Sequence, residues 1–408
     1  MNNLKHVGKP SVRIDGKEKI SGATRYTDDL EFGPNLHFAA IVESTEAHAK
    51  IISIDTTDAE NYPGVVGVYT GKDFPFKFGL YMKDRFIFAM DTVHYVGQQI
   101  AAVVARDIKT AKQAAKLVKV EYEQLPAIFD QMEALKDDAL LIHPELGEYE
   151  HVPWFFPQAK TNIAHWRKVR RGDTIKGFED ADYILEDTYT VPRYAHCPLE
   201  THVAVGLCDL SGRLTIWASS QSPHTQRNLF AESLAPLGFT HKDVRVIAPP
   251  IGGGFGGKAG VSMEILAAAI ATKVRGNPIK VIWSREQEFY NTSQRLGVIA
   301  MLKIGVKNDG TFTAINHRLY WDTGASAEYG ANVVNAVGLS AIGPYRFHNV
   351  SIDSVCLHTN LPPCGAYRGF GYSEFMFGLE SHINRIADHL NIDAVEIRKI
   401  NAIKENDI

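Results

Sequence analysis

The sequence predicts an α+β fold in two parts, a mixed first domain over residues 1–126 and a larger second domain over 162–408, joined by a linker at 127–161. Three observations carry this expectation. A chain of 408 residues exceeds the usual single-domain size. Short apolar runs bounded by turn residues recur along it and read as strands, with helically spaced stretches between them. Residues 127–165 lose that periodicity and collect Pro144, Pro153, Pro157 and aromatic residues. That is the composition of a linker lying on the surface or wrapped over a neighbour.

In the first part His37–Val42, Val65–Tyr69 and Gln99–Ala105 predict strands, Asp107–Lys116 a helix rich in Ala and Lys, and Val118–Tyr122 a further strand. The second part begins near Asn162 and carries a strand-like Tyr183–Tyr189. Strands follow at Val203–Leu207, Leu214–Ala218, Val244–Ile247, Lys280–Trp283 and Thr313–Tyr320. Thr225–Leu237 and Val261–Lys273 have the apolar spacing of helices, and Glu374–Leu390 is amphipathic. No closing strand is legible after Leu390, which points to further polypeptide.

Hydrophobic residues at 45%, charged residues at 22% and a net charge of −4 describe an ordinary globular protein. They exclude a chain that tracks nucleic-acid phosphates. The one basic cluster, Arg167–Arg171, lies among turn residues and reads as a solvated face. Met1–His6 lacks the basic start and apolar core of a secretion signal, and no apolar run is long enough to cross a bilayer, so a cytoplasmic location is expected. The four cysteines Cys197, Cys208, Cys356 and Cys364 form no CxxC pair, so neither an iron–sulfur centre nor a zinc ribbon is expected from them. Buried thiols are expected instead.

The strongest local signal is the run Pro250-Ile251-Gly252-Gly253-Gly254-Phe255-Gly256-Gly257-Lys258, placed between the strand at Val244–Ile247 and a helix from about Val261. Glycines packed this densely let backbone N–H groups approach a ligand and point, with the helix N-terminus, at negative charge. Three readings share the pattern. Gly252, Gly257 and Lys258 fit the spacing of a phosphate-binding P-loop, but Ala259 stands where Ser or Thr would hold magnesium. Gly252, Gly254 and Gly257 also satisfy GxGxxG, yet the next strand ends in Ser284-Arg285 rather than the acidic residue a dinucleotide ribose requires. A tight turn packing helix on sheet is the third, and it calls for neither so many glycines nor Phe255.

The same run resembles the first molybdopterin-facing loop of the xanthine dehydrogenase and aldehyde oxidase family, the molybdenum hydroxylases. A second string, Thr359-Asn360-Leu361-Pro362-Pro363-Cys364-Gly365-Ala366-Tyr367-Arg368-Gly369-Phe370-Gly371, is similar to that family's TN…AYRGFG loop. Weaker marks follow in order: Arg13–Gly22, His94-Tyr95-Val96-Gly97-Gln98, Leu199-Glu200-Thr201 and Ser220-Gln221-Ser222-Pro223. The resemblance spans nearly the whole chain. It implies an a/b hammerhead domain followed by the first molybdopterin-binding domain.

It also implies roles. Gln221 resembles the glutamine that hydrogen-bonds the apical ligand of molybdenum without ligating the metal. Gly252, Gly253, Gly254, Phe255 and Gly256 line the cofactor, with the backbone of the last three on the metal's oxo ligands. Arg368 resembles the arginine beside cofactor and substrate, where its donor fork suits oxygen-rich groups, and Phe370 the aromatic that stacks on a planar substrate. The implied reaction hydroxylates an electron-poor carbon with water. Electrons leave through 2Fe–2S and FAD chains, and the cofactor is molybdopterin, as its cytosine dinucleotide.

The family's catalytic glutamate lies in a second cofactor-binding half that this sequence does not contain. A divided catalytic subunit of the nicotinate dehydrogenase type, with the glutamate on a second molybdopterin chain, accounts for this better than a fragment, because Ile408 falls near where such a large chain ends. Two substrate positions depart from xanthine-oxidising members: Ala259 replaces a glutamate and Ala336 an arginine that together grip the purine. Losing both forfeits about 1.5–3 kcal/mol per charged hydrogen bond, which disfavours xanthine and leaves an N-heteroaromatic such as nicotinate, or an aldehyde. Gly369 occupies the position of the copper-holding cysteine of carbon-monoxide dehydrogenases, so that chemistry is not expected.

Overall fold

A computed structural model describes residues 4–405 and 407; Met1–Asn3 of the start, Asn406 and the terminal Ile408 lie outside them. Its backbone is organised by two large sheets. The first has seven strands in the order Val244–Ile247, Leu214–Ala218, Val203–Cys208, Ile279–Ile282, His37–Glu43, Gln99–Ala105 and Val65–Thr70. The second has five, Tyr183–Val191, Gly297–Val306, Phe312–Asp322, Asn349–Leu357 and Ile163–Arg171. A three-stranded sheet of Thr92–Val93, Ala49–Asp55 and Lys119–Gln124 completes the N-terminal part with the pair Lys77–Phe78 and Arg85–Phe86.

The seven-stranded sheet crosses the boundary between the two expected domains. His37 and Phe38 pair in parallel with Ile279 and Lys280, so the N-terminal strands extend a sheet begun by the second part. Gln99–Ala105 pairs with a strand on each side and all but its first residue are buried, which is why it reads as an unbroken apolar run. The helix Glu264–Lys273 lies on this sheet and is buried along Glu264–Ala271. It packs so closely that a side chain on Gly206 would strike the carbonyl of Ala267. The long helix Tyr372–Leu390 covers the five-stranded sheet, burying Phe375, Leu379, Ile383 and Ile386 at helical spacing.

Several expectations are corrected. Residues 127–161 are wrapped over the rest of the chain rather than lying on its surface: Ile142, Leu146 and Phe155 are buried, and the side chains of Asn162 and Asn360 accept the backbone N–H groups of Ile142 and Ile128, both at 2.9 Å. Arg167–Arg171 does not lie among turns but ends the nine-residue strand Ile163–Arg171, which pairs antiparallel with Asn349–Leu357. It is an edge strand, where basic residues discourage pairing with other chains. Arg170 there meets Asp353 at 2.7 Å. The helix expected from Val261 starts at Glu264, so its N-terminus stands several residues beyond the glycine run. Leu390 is followed by a second helix, Ala394–Asn401, capped by Asp393. Cys208, Cys356 and Cys364 are buried free thiols, whereas Cys197 is exposed. Among the described residues no helix is long and apolar enough to cross a membrane.

Candidate functional site at the glycine loop

The glycine run leaves the edge strand Val244–Ile247 and folds against three other segments. The Oε1 atom of Gln221 enters the run and accepts the N–H groups of Gly256 at 2.8 Å and Lys258 at 3.3 Å. Accepting two donors fixes which end of the carboxamide is oxygen. The Gln221 NH2 group has no acceptor among the described residues and is left to donate outward. Glu200 underlies the start of the run, its Oε2 accepting from Gly252 N at 2.7 Å, Ser219 Oγ at 2.8 Å and Lys258 Nζ at 2.8 Å. From the other side Arg368 N donates to Phe255 O at 2.8 Å, joining the second loop to the first.

Close approach explains most of the glycines. A Cβ on Gly252 would meet Glu200, one on Gly254 would collide with the carboxamide of Gln221, and one on Gly256 would collide with the carbonyl of Ala366. Gly253 and Gly256 also have φ of +102° and +107°, which L side chains rarely adopt. Phe255 and Phe370 are held in the left-handed region too, at φ 55° and 50°. Non-glycine residues kept there cost about 1–3 kcal/mol each and concentrate at ligand sites. Phe255 is 45% exposed, so no buried packing accounts for its strain.

Within the run the amides of Gly252, Gly256, Gly257, Lys258 and Ala259 have protein acceptors. Those of Gly253, Gly254 and Phe255 have none among the described residues. Of the three amides expected to face the ligand, those of Gly254 and Phe255 are without a protein acceptor, while the N–H of Gly256 is taken by Gln221. Three successive free amides make a donor set suited to oxo or anionic groups. Arg368 is exposed and its guanidinium has no ion pair or hydrogen bond among the described residues, so it is not a structural salt bridge. Phe370 is half-buried, its ring 6.2 Å from that of Tyr329 in a T-shaped pair. The carbonyl of Ala259 accepts from Ser222 Oγ, next to Gln221. Ala336 lies in the helix Gly330–Ser340 and accepts from Tyr372 Oη, just beyond the second loop, at 3.2 Å.

Lys258 bears on the nucleotide readings. It is fully buried, with Nζ on the carboxylate and carbonyl oxygen of Glu200 at 2.8 Å each, so it does not reach toward a phosphate. The strands either side of the run are also separated by two others in a mixed sheet, unlike adjacent parallel strands around a dinucleotide loop.

Several supporting residues escaped sequence reasoning. Arg295 is buried, paired with Glu374, donates to Arg368 O at 2.6 Å and lies 4.0 Å from the Tyr367 ring centroid. His196 stacks on Tyr367 with centroids 4.2 Å apart and bonds Ala366 O at 2.8 Å. Burial pushes its pKa down to about 4, so the neutral ring donates through Nε2. His202 and Glu288 form a buried pair, Nδ1 to Oε1 at 2.9 Å, and His202 Nε2 donates to Gly257 O at 3.2 Å. Glu200, within the Leu199-Glu200-Thr201 string, had a signal; the others had none.

The His202–Glu288 pair sets a pH dependence. Burial alone lowers the His202 pKa, but the hydrogen bond and charge of Glu288 reverse this and leave it raised. Burial likewise raises Glu288, and His202 brings it below the ordinary carboxylate value. The histidine contribution is fully present below the ordinary imidazole pKa of about 6.5 and fades as pH rises through the raised value. The glutamate contribution is present above about 4.3 and fades as pH falls through the lowered one. The Tm difference between wild type and His202→Gln is therefore expected to be largest between those limits and to shrink on either side, which thermal melts across pH measure.

With this geometry in place, residues 155–402 match the molybdopterin cofactor-binding domain family and residues 21–126 the aldehyde oxidase and xanthine dehydrogenase a/b hammerhead domain. The chain is 33% identical over 398 residues to the nicotinate dehydrogenase large molybdopterin subunit of Eubacterium barkeri, covering 97% of this chain and 89% of that one. It is 32% identical over 409 residues to the xanthine dehydrogenase molybdenum-binding subunit of Escherichia coli, covering 97% of this chain but only 52% of that one. Among solved structures, aldehyde oxidoreductase from Desulfovibrio gigas superposes with a TM-score of 0.87 at 28% identity, over 97% of this chain and 43% of that one.

Proposed function

Because the chain belongs to the molybdenum hydroxylase family of aldehyde oxidases and xanthine dehydrogenases, we propose that it is the large molybdopterin subunit of a multi-subunit hydroxylase acting on an N-heteroaromatic such as nicotinate, or on an aldehyde. The observation that carries this reading is a group of donors on three segments tied by hydrogen bonds: three loop amides without protein acceptors, Gln221 bonded to that loop through its Oε1, and Arg368, whose backbone N–H bonds Phe255 O and whose guanidinium has no partner among the described residues. All are donors, as a group rich in oxo and phosphate oxygens requires. When bound, the molybdenum–pterin group supplies two-electron oxidation of an electron-poor carbon, with oxygen drawn from water.

This chain's residues then divide the work. Gly253, Gly254 and Phe255 orient the group through their N–H bonds, and Gln221 adds a donor whose direction is set by the loop amides behind it. Arg368 holds an oxygen-bearing substrate or cofactor edge, and Phe370 flanks a planar ring. The general base comes from a glutamate on a second molybdopterin-binding chain, and electrons leave through 2Fe–2S and FAD chains. The pterin is the cytosine dinucleotide, and the complex works in the cytoplasm. A purine substrate is the second reading, favoured by likeness to a molybdenum-binding chain of xanthine dehydrogenase; Ala259 and Ala336 weigh against it.

Gln221→Glu separates positioning from packing, since it keeps an oxygen for the loop amides and exchanges the outward donor for a second oxygen. Purified with its partner chains, this variant is expected to keep its molybdenum and lose about 10–100-fold in turnover, the usual loss when an outer-shell partner of a metal is removed. Turnover unchanged in both Gln221→Glu and Arg368→Ala would refute the assignment. Comparing nicotinate, an aldehyde and xanthine as substrates decides between the two readings.

A further inference from the structure

Three segments distant in sequence bring Asp84, His143 and His358 together, one potential ligand atom from each lying within 4.8 Å of the others. All three are buried, at 3%, 4% and 0% exposure. His358 donates Nδ1–H to the carbonyl of Gly324 at 3.0 Å, and its Nε2 is left as a bare, buried acceptor with no partner among the described residues. An imidazole anchored through one nitrogen on a backbone carbonyl, with the other nitrogen free, is how metal-ligating histidines are prepared. The Asp84 carboxylate is oriented by Ser326 Oγ at 2.8 Å and Ala327 N at 2.6 Å and retains lone pairs.

Asp84 and His143 also line a cavity of about 260 Å³, ample for ordered water. His94 stands in its wall, with its ring centroid 5.2 Å from that of His143 and its Nδ1 also buried without a partner. The two cations at the cavity, Lys77 and Arg85, are already paired with Glu145 and Glu328. Burial holds the pKa values of His143 and His358 below the ordinary imidazole value, which keeps both rings neutral, the ligating form.

We propose that Asp84, His143 and His358 bind one divalent transition-metal ion of the zinc class, at a site distinct from the molybdopterin loop. Two imidazoles and a carboxylate are a zinc donor set, and water from the cavity completes four-coordination. His143 spans Ala325 O at 2.9 Å and Tyr149 Oη at 3.0 Å, and the nitrogen that turns to the ion gives up one of these bonds. The ion ties the N-terminal part at Asp84 and the 127–161 segment at His143 to His358, which stands immediately before the Thr359–Phe370 loop.

The complex containing the full chain is stripped with chelator, loaded with zinc alone, and examined by elemental analysis and zinc-edge X-ray absorption. One zinc per chain is expected, with a nitrogen and oxygen shell at about 2.0–2.1 Å and imidazole scattering. His358→Asn and Asp84→Asn are expected to lose it while molybdenum content persists, so the result does not depend on the molybdopterin reading. Wild-type protein that takes up no zinc, a sulfur shell, or undiminished zinc in the variants overturns the proposal. If one variant fails to fold the other decides, and the wild-type measurement stands in either case.

Discussion

Gly256→Ala is expected to abolish molybdenum retention almost completely. Two independent costs fall on that residue. Its φ of +107° is strained for any L side chain, and a Cβ there meets the carbonyl of Ala366 and Tyr367 Cα, backbone atoms that cannot swing aside. Strain of about 1–3 kcal/mol and overpacking of about 1–3 kcal/mol sum to roughly 2–6 kcal/mol, relieved only by parting the two loops. Since each 1.4 kcal/mol is about tenfold in affinity, cofactor affinity should fall by roughly one and a half to four orders of magnitude. Gly253→Ala is the comparison: its φ is similar, but a Cβ meets only Phe255 and Pro198 side-chain atoms at 3.3–3.5 Å, so a smaller loss is expected. Molybdenum per chain, measured on both variants, checks the contrast; equal retention would show that the loops need not touch.

Lys258→Met should be the most destabilising conservative change near the site. Lys258 is wholly enclosed, and its ammonium is held by the carboxylate and carbonyl of Glu200. Methionine fills similar volume but leaves the Glu200 charge without its cation, and breaking a buried pair from one side costs about 3–5 kcal/mol. At about 2–4 °C per kcal/mol for a large domain, Tm should drop by roughly 6–20 °C in a calorimetric scan. Glu200→Gln strands the opposite charge and should cost a similar amount. A drop of only a degree or two would mean that water reaches the pair.

How much could be read in advance depended on whether the information was local. Gln99–Ala105, Leu214–Ala218 and Val244–Ile247 were legible to the residue because each is a short, mostly apolar run of strand-forming residues closed by turn residues. Ala49–Asp55 and Asn349–Leu357 were not, since polar residues interrupt both and pairing, rather than composition, makes them strands. The helix Ala394–Asn401 announced itself only by Asp393 and Glu396, a cap signal preceding two turns. At the site, the glycine run, Gln221 and Arg368 could be singled out from two strings. The buried pairs beneath them could not, because Glu200 and Lys258 are 58 residues apart, His202 and Glu288 86, and Arg295 and Glu374 79. Only folding shows which charge meets which.

The strand His37–Glu43 sits inside the seven-stranded sheet, between partners from both parts of the chain. Its Glu43 carboxylate is held by Gln287, Tyr290 and Asn291, and Asp84 and Arg85 reach Ser326 and Glu328. A seam stitched at so many points has no hinge line. Opening and closing around the glycine loop must therefore be sought in loop rearrangement or in the docking of another chain, not in a jaw-like swing of one half against the other. By the same token, cutting the polypeptide after residue 126 should yield two pieces that fail separately, each exposing a raw sheet edge where the other belonged.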